Sequence, residues 1–148
     1  MKFTTTAILA VAGVGALRVV QMEHHRRQQN EIAVARIQLD RIRHLTAHPH
    51  LAESWAPSGM AVDKYVKLLD ANYQLCAISL RHELGIVRGH RLDFVAKWFM
   101  KHEVGRQYWE EFGPLRAEEA AGDSDLEEFT EVMNDAYKAH SKAEPVGV

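Results

Sequence analysis

The sequence predicts an all-α protein, with an N-terminal transmembrane helix followed by a compact bundle of about four to five helices. Two observations predict it. Residues 3–20, FTTTAILAVAGVGALRVV, are apolar except for three threonines and Arg18. Beyond them, apolar residues recur at three- and four-residue steps, and no segment alternates with the period of two that marks a half-buried strand.

The apolar run comes first. As a helix rising about 1.5 Å per residue it spans roughly 27 Å, close to the roughly 30 Å of a bilayer's hydrocarbon core. Two uses compete for it. A cleaved signal peptide has a basic start, a short apolar stretch and a small-residue exit. Lys2 and residues 7–17 supply the first two, but Ala10-Val11-Ala12 and Gly13-Val14-Gly15-Ala16 lie inside the run rather than past it. An uncleaved anchor is therefore favoured, with Arg18 laying its stem along the apolar surface and its head at the interface. Secretion after signal cleavage is the alternative. Only Lys2 precedes the run, whereas Arg18, Arg26, Arg27, Arg36, Arg41 and Arg43 close or follow it, so the C-terminal domain is expected in the cytoplasm of a single-pass cell-membrane protein. The single cysteine, Cys76, permits no internal disulfide and suits a reducing compartment.

The organisation expected is an anchor over residues 1–22, a helical domain over 23–140 and a flexible tail over 141–148. Net charge is −2, but it is unevenly spread: +4 over residues 1–50, +1 over 51–100 and −7 over 101–148. The basic end suits anionic headgroups and the acidic end is repelled by them. A chain mostly neutral or acidic outside one juxtamembrane cluster is not expected to bind nucleic acid.

The helices follow in order. Residues 23–45 form the first after the anchor. Ile32, Ala35, Leu39 and Ile42 make a short coiled-coil-like seam, widened by Val34, Ile37 and Leu45. That seam packs either on its own domain or on a second copy, so homo-oligomerisation through residues 28–46 stays open. The helix stops near Thr46, because Pro49 disfavours helix just before it and tolerates a first turn after it. Residues 49–55 then form a brief helix, and Ala56-Pro57-Ser58-Gly59 a loop.

Residues 61–84 form the central helix. Val62, Tyr65, Val66, Leu69, Tyr73, Cys76, Leu80 and Leu84 share a stripe that Leu68 and Leu75 broaden. Gly85 stands where a C-terminal cap belongs, with Ile86 placed for the accompanying apolar contact. Leu92, Val95, Trp98 and Phe99 mark a third helix ending near residues 101–102. A fourth starts at residues 104–105 and carries Tyr108, Trp109, Phe112 and Leu115, and Gly113-Pro114 should kink or break it. After the turn Gly122-Asp123-Ser124, Ser124 and Glu127 fit a capping box. The last helix is apolar along Leu126, Phe129, Val132, Met133, Ala136 and Tyr137 and acidic opposite.

Candidate chemistry is sparse. His44 and His48, four apart with His50 following, could share a metal, but Pro49 interrupts the helix and no carboxylate completes a set. A metal-binding or enzymatic domain using His44 and His48 is an alternative reading; no metal or cofactor is expected. The paired glutamates of the C-terminal third lack the Glu-x-x-His partners of a di-iron bundle and read as solvated faces. Cys76 lies on the apolar stripe of the central helix, as a structural thiol does. No Gly-x-Ser-x-Gly and no phosphate-binding loop occurs. The densest constellation is aromatic with arginine: Trp98, Phe99, Arg106, Tyr108 and Trp109, with Arg116 beyond. It reads either as core or as a binding patch for a protein partner.

Several of these elements recur together elsewhere. An N-terminal apolar span leads into His48-Pro49-His50-Leu51-Ala52, a helix from Asn72 ending in Leu84-Gly85, a short helix over residues 92–99, and Arg106-Gln107-Tyr108-Trp109 followed by Arg116. In this the chain resembles a family of small actinobacterial, Streptomyces-type proteins known as domain-of-unknown-function family 6082, over nearly its whole length. His48 stands where that family often has Asn, and Gly105 replaces a bulkier residue. The resemblance implies a membrane-tethered helical domain and brings no activity with it. The function expected is that of a non-enzymatic protein-interaction module at the cytoplasmic membrane.

Overall fold

The computed structural model describes the backbone of residues 2–143 and the side chains of residues 17–142. Helices α1 (Lys2–Ala47), α2 (Pro49–Ala52), α3 (Val62–Glu83), α4 (His90–Lys101), α5 (Glu103–Ala120) and α6 (Ser124–Ala143) are joined by short turns, one of them the 3₁₀ turn Glu53–Trp55. The described residues include no strand, so the all-α class holds. Two compact units are distinguished, Met1–Arg36 and Ile37–Val148.

In the first unit, Leu17, Val19, Val20 and Met22 are exposed apolar side chains. Among the described residues no helix is long and apolar enough to cross a membrane. Most of the expected span, residues 3–20, has its side chains outside those described. The boundary expected at residue 22 is not a break, since α1 continues through it.

The second unit is built around α3. Its most buried line is Leu68, Leu69, Ala71, Leu75, Ile78 and His82, not the stripe through Val62, Tyr73 and Leu84. The reason is that α3 is packed on two sides. Leu68, Ala71, Leu75 and Ile78 join the main core with Leu92, Ala96, Phe99 and Met100 of α4, Tyr108 and Trp109 of α5, and Phe129, Met133 and Ala136 of α6. Leu69, flanked by the half-buried Tyr65, Val66, Tyr73 and Cys76, joins a smaller cluster with Ile42, Leu45 and Ala52. The C-terminal half of the seam on α1 therefore packs on its own domain.

The α3 C-terminus shows why a glycine is needed there. Gly85 has φ +74°; its N–H bonds the His82 carbonyl at 2.8 Å and the Ile86 N–H bonds the Arg81 carbonyl at 2.9 Å, a Schellman cap. The apolar contact falls one residue later than expected: Val87 is buried and Ile86 exposed. Pro114 does not end α5, which runs from Glu103 through Ala120. Pro114 lies on the exposed side, as does Glu110, whose carbonyl loses the amide partner four residues on. Water can hydrate that carbonyl. Gly113, on the buried side, lies against the Trp109 ring, where an added Cβ would come within 3.1 Å of Nε1.

The cap of α6 is also displaced by one residue. Asp123, not Ser124, accepts from the Asp125 and Leu126 amides, both at 3.1 Å, and Glu127 accepts from the Gly122 amide at 2.9 Å. Helix α6 then runs to Ala143, into the segment expected as tail.

Candidate functional site

The residues singled out in the sequence go to different places. Phe99, Tyr108 and Trp109 are core. Trp109 donates from Nε1 to Asn134 Oδ1 at 2.8 Å, tying α5 to α6. Arg106 reaches back over the α4 C-terminus, its Nη1 donating to the Met100 and Lys101 carbonyls at 2.9 and 3.0 Å. Those are orphan carbonyls of a helix end, so this arginine is a cap. Trp98 stays at the surface with its ring 4.7 Å from that of His102. Arg116 and Tyr108 come together, but at a second location between α3 and α5.

That location holds a polar network. The Tyr108 hydroxyl donates to Asn72 Oδ1 at 2.9 Å, and Arg116 Nε donates to the Tyr108 oxygen at 3.0 Å. Arg116 Nη2 donates to Asn72 Oδ1 and to Cys76 Sγ; Nη1 donates to Glu119 Oε2 at 3.1 Å. The Cys76 thiol itself faces Asn72 Oδ1 at 3.5 Å. Burial pushes the Cys76 thiol and the Tyr108 hydroxyl above their ordinary values, with Arg116 pulling both the other way. Both groups are therefore held protonated, which is the wrong state for a thiolate nucleophile. A cavity of about 230 Å³ opens beside the network, lined by Tyr65, Leu68, Leu69, Phe112 and Leu115 with Gln38 and Arg116 among its polar groups.

A second polar cluster lies at the C-terminal end of α3 and was not singled out in the sequence. His82, wholly buried, directs Nδ1 at the Val87 carbonyl and Nε2 at the Asp125 carbonyl, each at 3.0 Å. Arg88 Nη1 bonds Asp125 Oδ1 at 3.0 Å and stands 3.6 Å from Glu128 Oε2. The arginine holds the Asp125 carboxyl below its usual range. His82, Asp125 and Glu128 could together surround a cation, but both imidazole nitrogens already face carbonyl oxygens and the Arg88 guanidinium occupies the cationic role. The cluster reads as a clasp between the α3–α4 turn and the start of α6.

The rings of His44 and His48 lie 4.5 Å apart, and His48 Nδ1 is tied to the His44 carbonyl at 2.9 Å. Among the described residues neither belongs to a group of three metal-ligating side chains.

The family model described as "Family of unknown function (DUF6082)" matches residues 3–148. The chain belongs to DUF6082. None of the curated proteins and none of the solved structures compared matches it. In this DUF6082 chain Asn72, Tyr108 and Arg116 form one network, Arg106 caps α4, and Trp109 fills the core. A Cβ at Gly105 would lie 2.4 Å from the Phe99 carbonyl oxygen, so the glycine permits α5 to start against α4.

Sequence reasoning placed Tyr108, Trp109 and Arg116 among the important residues and missed His82 and Phe94. His82 continues the spacing of Leu68, Ala71, Leu75 and Ile78, a signal legible in retrospect. Phe94 carried none, since only packing shows that this phenylalanine faces out.

Proposed function

We propose that this DUF6082 protein is a non-enzymatic helical interaction module, anchored by its N-terminal segment in the cell membrane with the domain on the cytoplasmic side. The observation that carries the reading is the pair Phe94 and Trp98. They lie one turn apart on α4 and are 65% and 44% exposed, on a domain whose neighbouring aromatics Phe99, Tyr108 and Trp109 are buried. Exposed aromatics beside cations favour a contact surface. The groups fit for chemistry, by contrast, are engaged in holding helices together: Cys76 and Arg116 between α3 and α5, His82 and Arg88 beside α6. The apolar run, its arginine-rich exit and the exposed Leu17, Val19, Val20 and Met22 support the anchor.

Protease treatment of spheroplasts carrying a C-terminally tagged full chain tests the anchor and its orientation. The expected result is a protected, full-length tag in the membrane fraction after carbonate washing. A digested tag, a shortened chain or a soluble one would overturn that part. Asp substitutions at Phe94 and Trp98 test the surface. They should leave the melting temperature within about 2 °C and weaken whatever contact the domain makes at the membrane; unfolding would mean that the pair is structural.

The cavity beside Arg116 favours a second reading, as a binder of a small amphipathic ligand with an acidic head that replaces Glu119 on the guanidinium. Titration with medium-chain carboxylates should then raise the melting temperature; no shift at millimolar ligand would remove this reading.

A further inference from the structure

We propose that the α4 stripe Arg91, Phe94, Trp98 and Lys101 docks on an anionic lipid bilayer. This deepens the reading of a membrane-anchored module and rests on it.

The four residues are spaced three, four and three apart, so they share one face of the helix. All four are exposed, while Leu92, Ala96, Phe99 and Met100 on the opposite side seat α4 in the core. Two aromatics thus occupy the middle of an outward stripe with a cation at each end. Lys97, also exposed, bonds Asp93 at 2.7 Å, so the one acid within α4 is charge-compensated. His90 and His102 stand at the helix limits, His102 with its ring against Trp98. Trp and Phe between Lys and Arg are the side chains that settle at a headgroup boundary, the rings in the outer acyl region and the cations on lipid phosphates.

Charge on α5 and α6 turns those faces away from an anionic surface. Glu110, Glu111, Glu118 and Glu119 on α5 and Glu127 and Glu131 on α6 are exposed, and an anionic surface repels them. The α4 stripe pairs two exposed aromatics with cations that complement phosphate headgroups; Trp55, with Arg41 stacked on its ring, is a second exposed aromatic beside a cation but a single ring. An anchored chain meets that surface at high effective concentration, so weak individual contacts suffice.

The test uses the full chain with Trp55→Phe, which leaves Trp98 as the exposed indole, because Trp109 is 2% exposed. The protein is reconstituted into phosphatidylcholine vesicles with and without phosphatidylglycerol, each with brominated acyl chains. The result expected is flotation with both vesicle types. Trp98 emission should shift to the blue and fall by about half only where phosphatidylglycerol is present, recovering in high salt. Arg91→Glu with Lys101→Glu should abolish the quenching without changing flotation or helical content.

Flotation with Trp98 unquenched in either lipid would overturn the stripe and leave the anchor. Equal quenching in both lipids, insensitive to salt, would overturn recognition of anionic headgroups. A blue shift that grows with protein concentration in the absence of vesicles would mean that a second copy covers the stripe, and would overturn the proposal too. Loss of flotation on phosphatidylcholine alone, with quenching on phosphatidylglycerol, would refute the anchor and uphold the stripe.

Discussion

Asn72 of α3 and Arg116 of α5, 44 residues apart, meet through the amide oxygen of the one and the guanidinium of the other. The same oxygen also receives the Tyr108 hydroxyl at 2.9 Å, so a single acceptor organises three side chains at a helix–helix junction. Replacing Asn72 by Leu removes that acceptor and leaves a half-buried guanidinium and a buried hydroxyl without it. The cost of unsatisfied buried donors is about 1–3 kcal/mol, and about 1 kcal/mol moves the melting point of a domain of this size by roughly 4 °C. Thermal unfolding of Asn72→Leu should therefore show a drop of about 10 °C, while Asn72→Asp, which keeps the acceptor, should lose less. Equal melting points for Asn72→Leu and the parent chain would show that the network does not stabilise the domain.

Gly105→Ala sets two effects of opposite sign against each other. Alanine gains up to about 1 kcal/mol of helix propensity over glycine. Its Cβ, however, would sit 2.4 Å from the Phe99 carbonyl oxygen and 3.1 Å from the Phe99 ring. A backbone oxygen cannot swing aside, so α5 must move off α4, and overpacking of this kind costs about 1–3 kcal/mol. The clash should win, and urea unfolding should show net destabilisation. A stabilised variant would mean that the two helices have room to separate.

The start of α6 distinguishes two adjacent residues. Asp123 accepts the Asp125 and Leu126 amides, and removing such a cap costs about 0.5–2 kcal/mol. Asp123→Ala should destabilise by that amount, while Ser124→Ala, within the helix, should be near neutral or slightly stabilising. Chemical denaturation of the two variants side by side checks this, and the opposite order would restore Ser124 as the cap.

Stability should fall on the alkaline side. Cys76 and Tyr108 are raised above 9.0 and 10.0 by burial. The unfolded chain therefore releases these protons first, and the stability present below about pH 9 is lost as pH rises through the folded-state values. Urea midpoints should decline from about pH 9 upward, and less steeply in a Cys76→Ala, Tyr108→Phe variant. Identical slopes in both proteins would assign the alkaline loss to other groups.

Much of the fold was legible from residue spacing, because helical periodicity depends on which side of a local cylinder is apolar. The helices after residue 46 fall close to where that periodicity and the proline and glycine positions put them. Of the kink or break expected at Gly113-Pro114, the break does not occur: Pro114 and Glu110, whose carbonyl loses its amide partner, are exposed residues, and the Gly113–Trp109 contact fits the helix that continues past them. The cap at α6 was off by one because Asp and Ser are both good capping residues and lie side by side. The candidate site was legible only in its members. Tyr108 and Arg116 stood out as types, yet nothing local says that their partner is Asn72, and nothing local separates Trp98, which faces out, from Phe99, which faces in.

By itself the sequence determined the helical class, the order of the helices, the apolar N-terminal run and the gradient from a basic to an acidic end. Each of these depends on neighbours within about two helical turns or on composition. Only the tertiary structure decided which face of α3 is innermost, that Arg106 is a cap and Arg116 a network member, that His82 is buried between carbonyls, and that Phe94 and Trp98 form an open stripe. Those outcomes depend on contacts between residues tens of positions apart, where packing of whole helices chooses among faces that are locally equivalent.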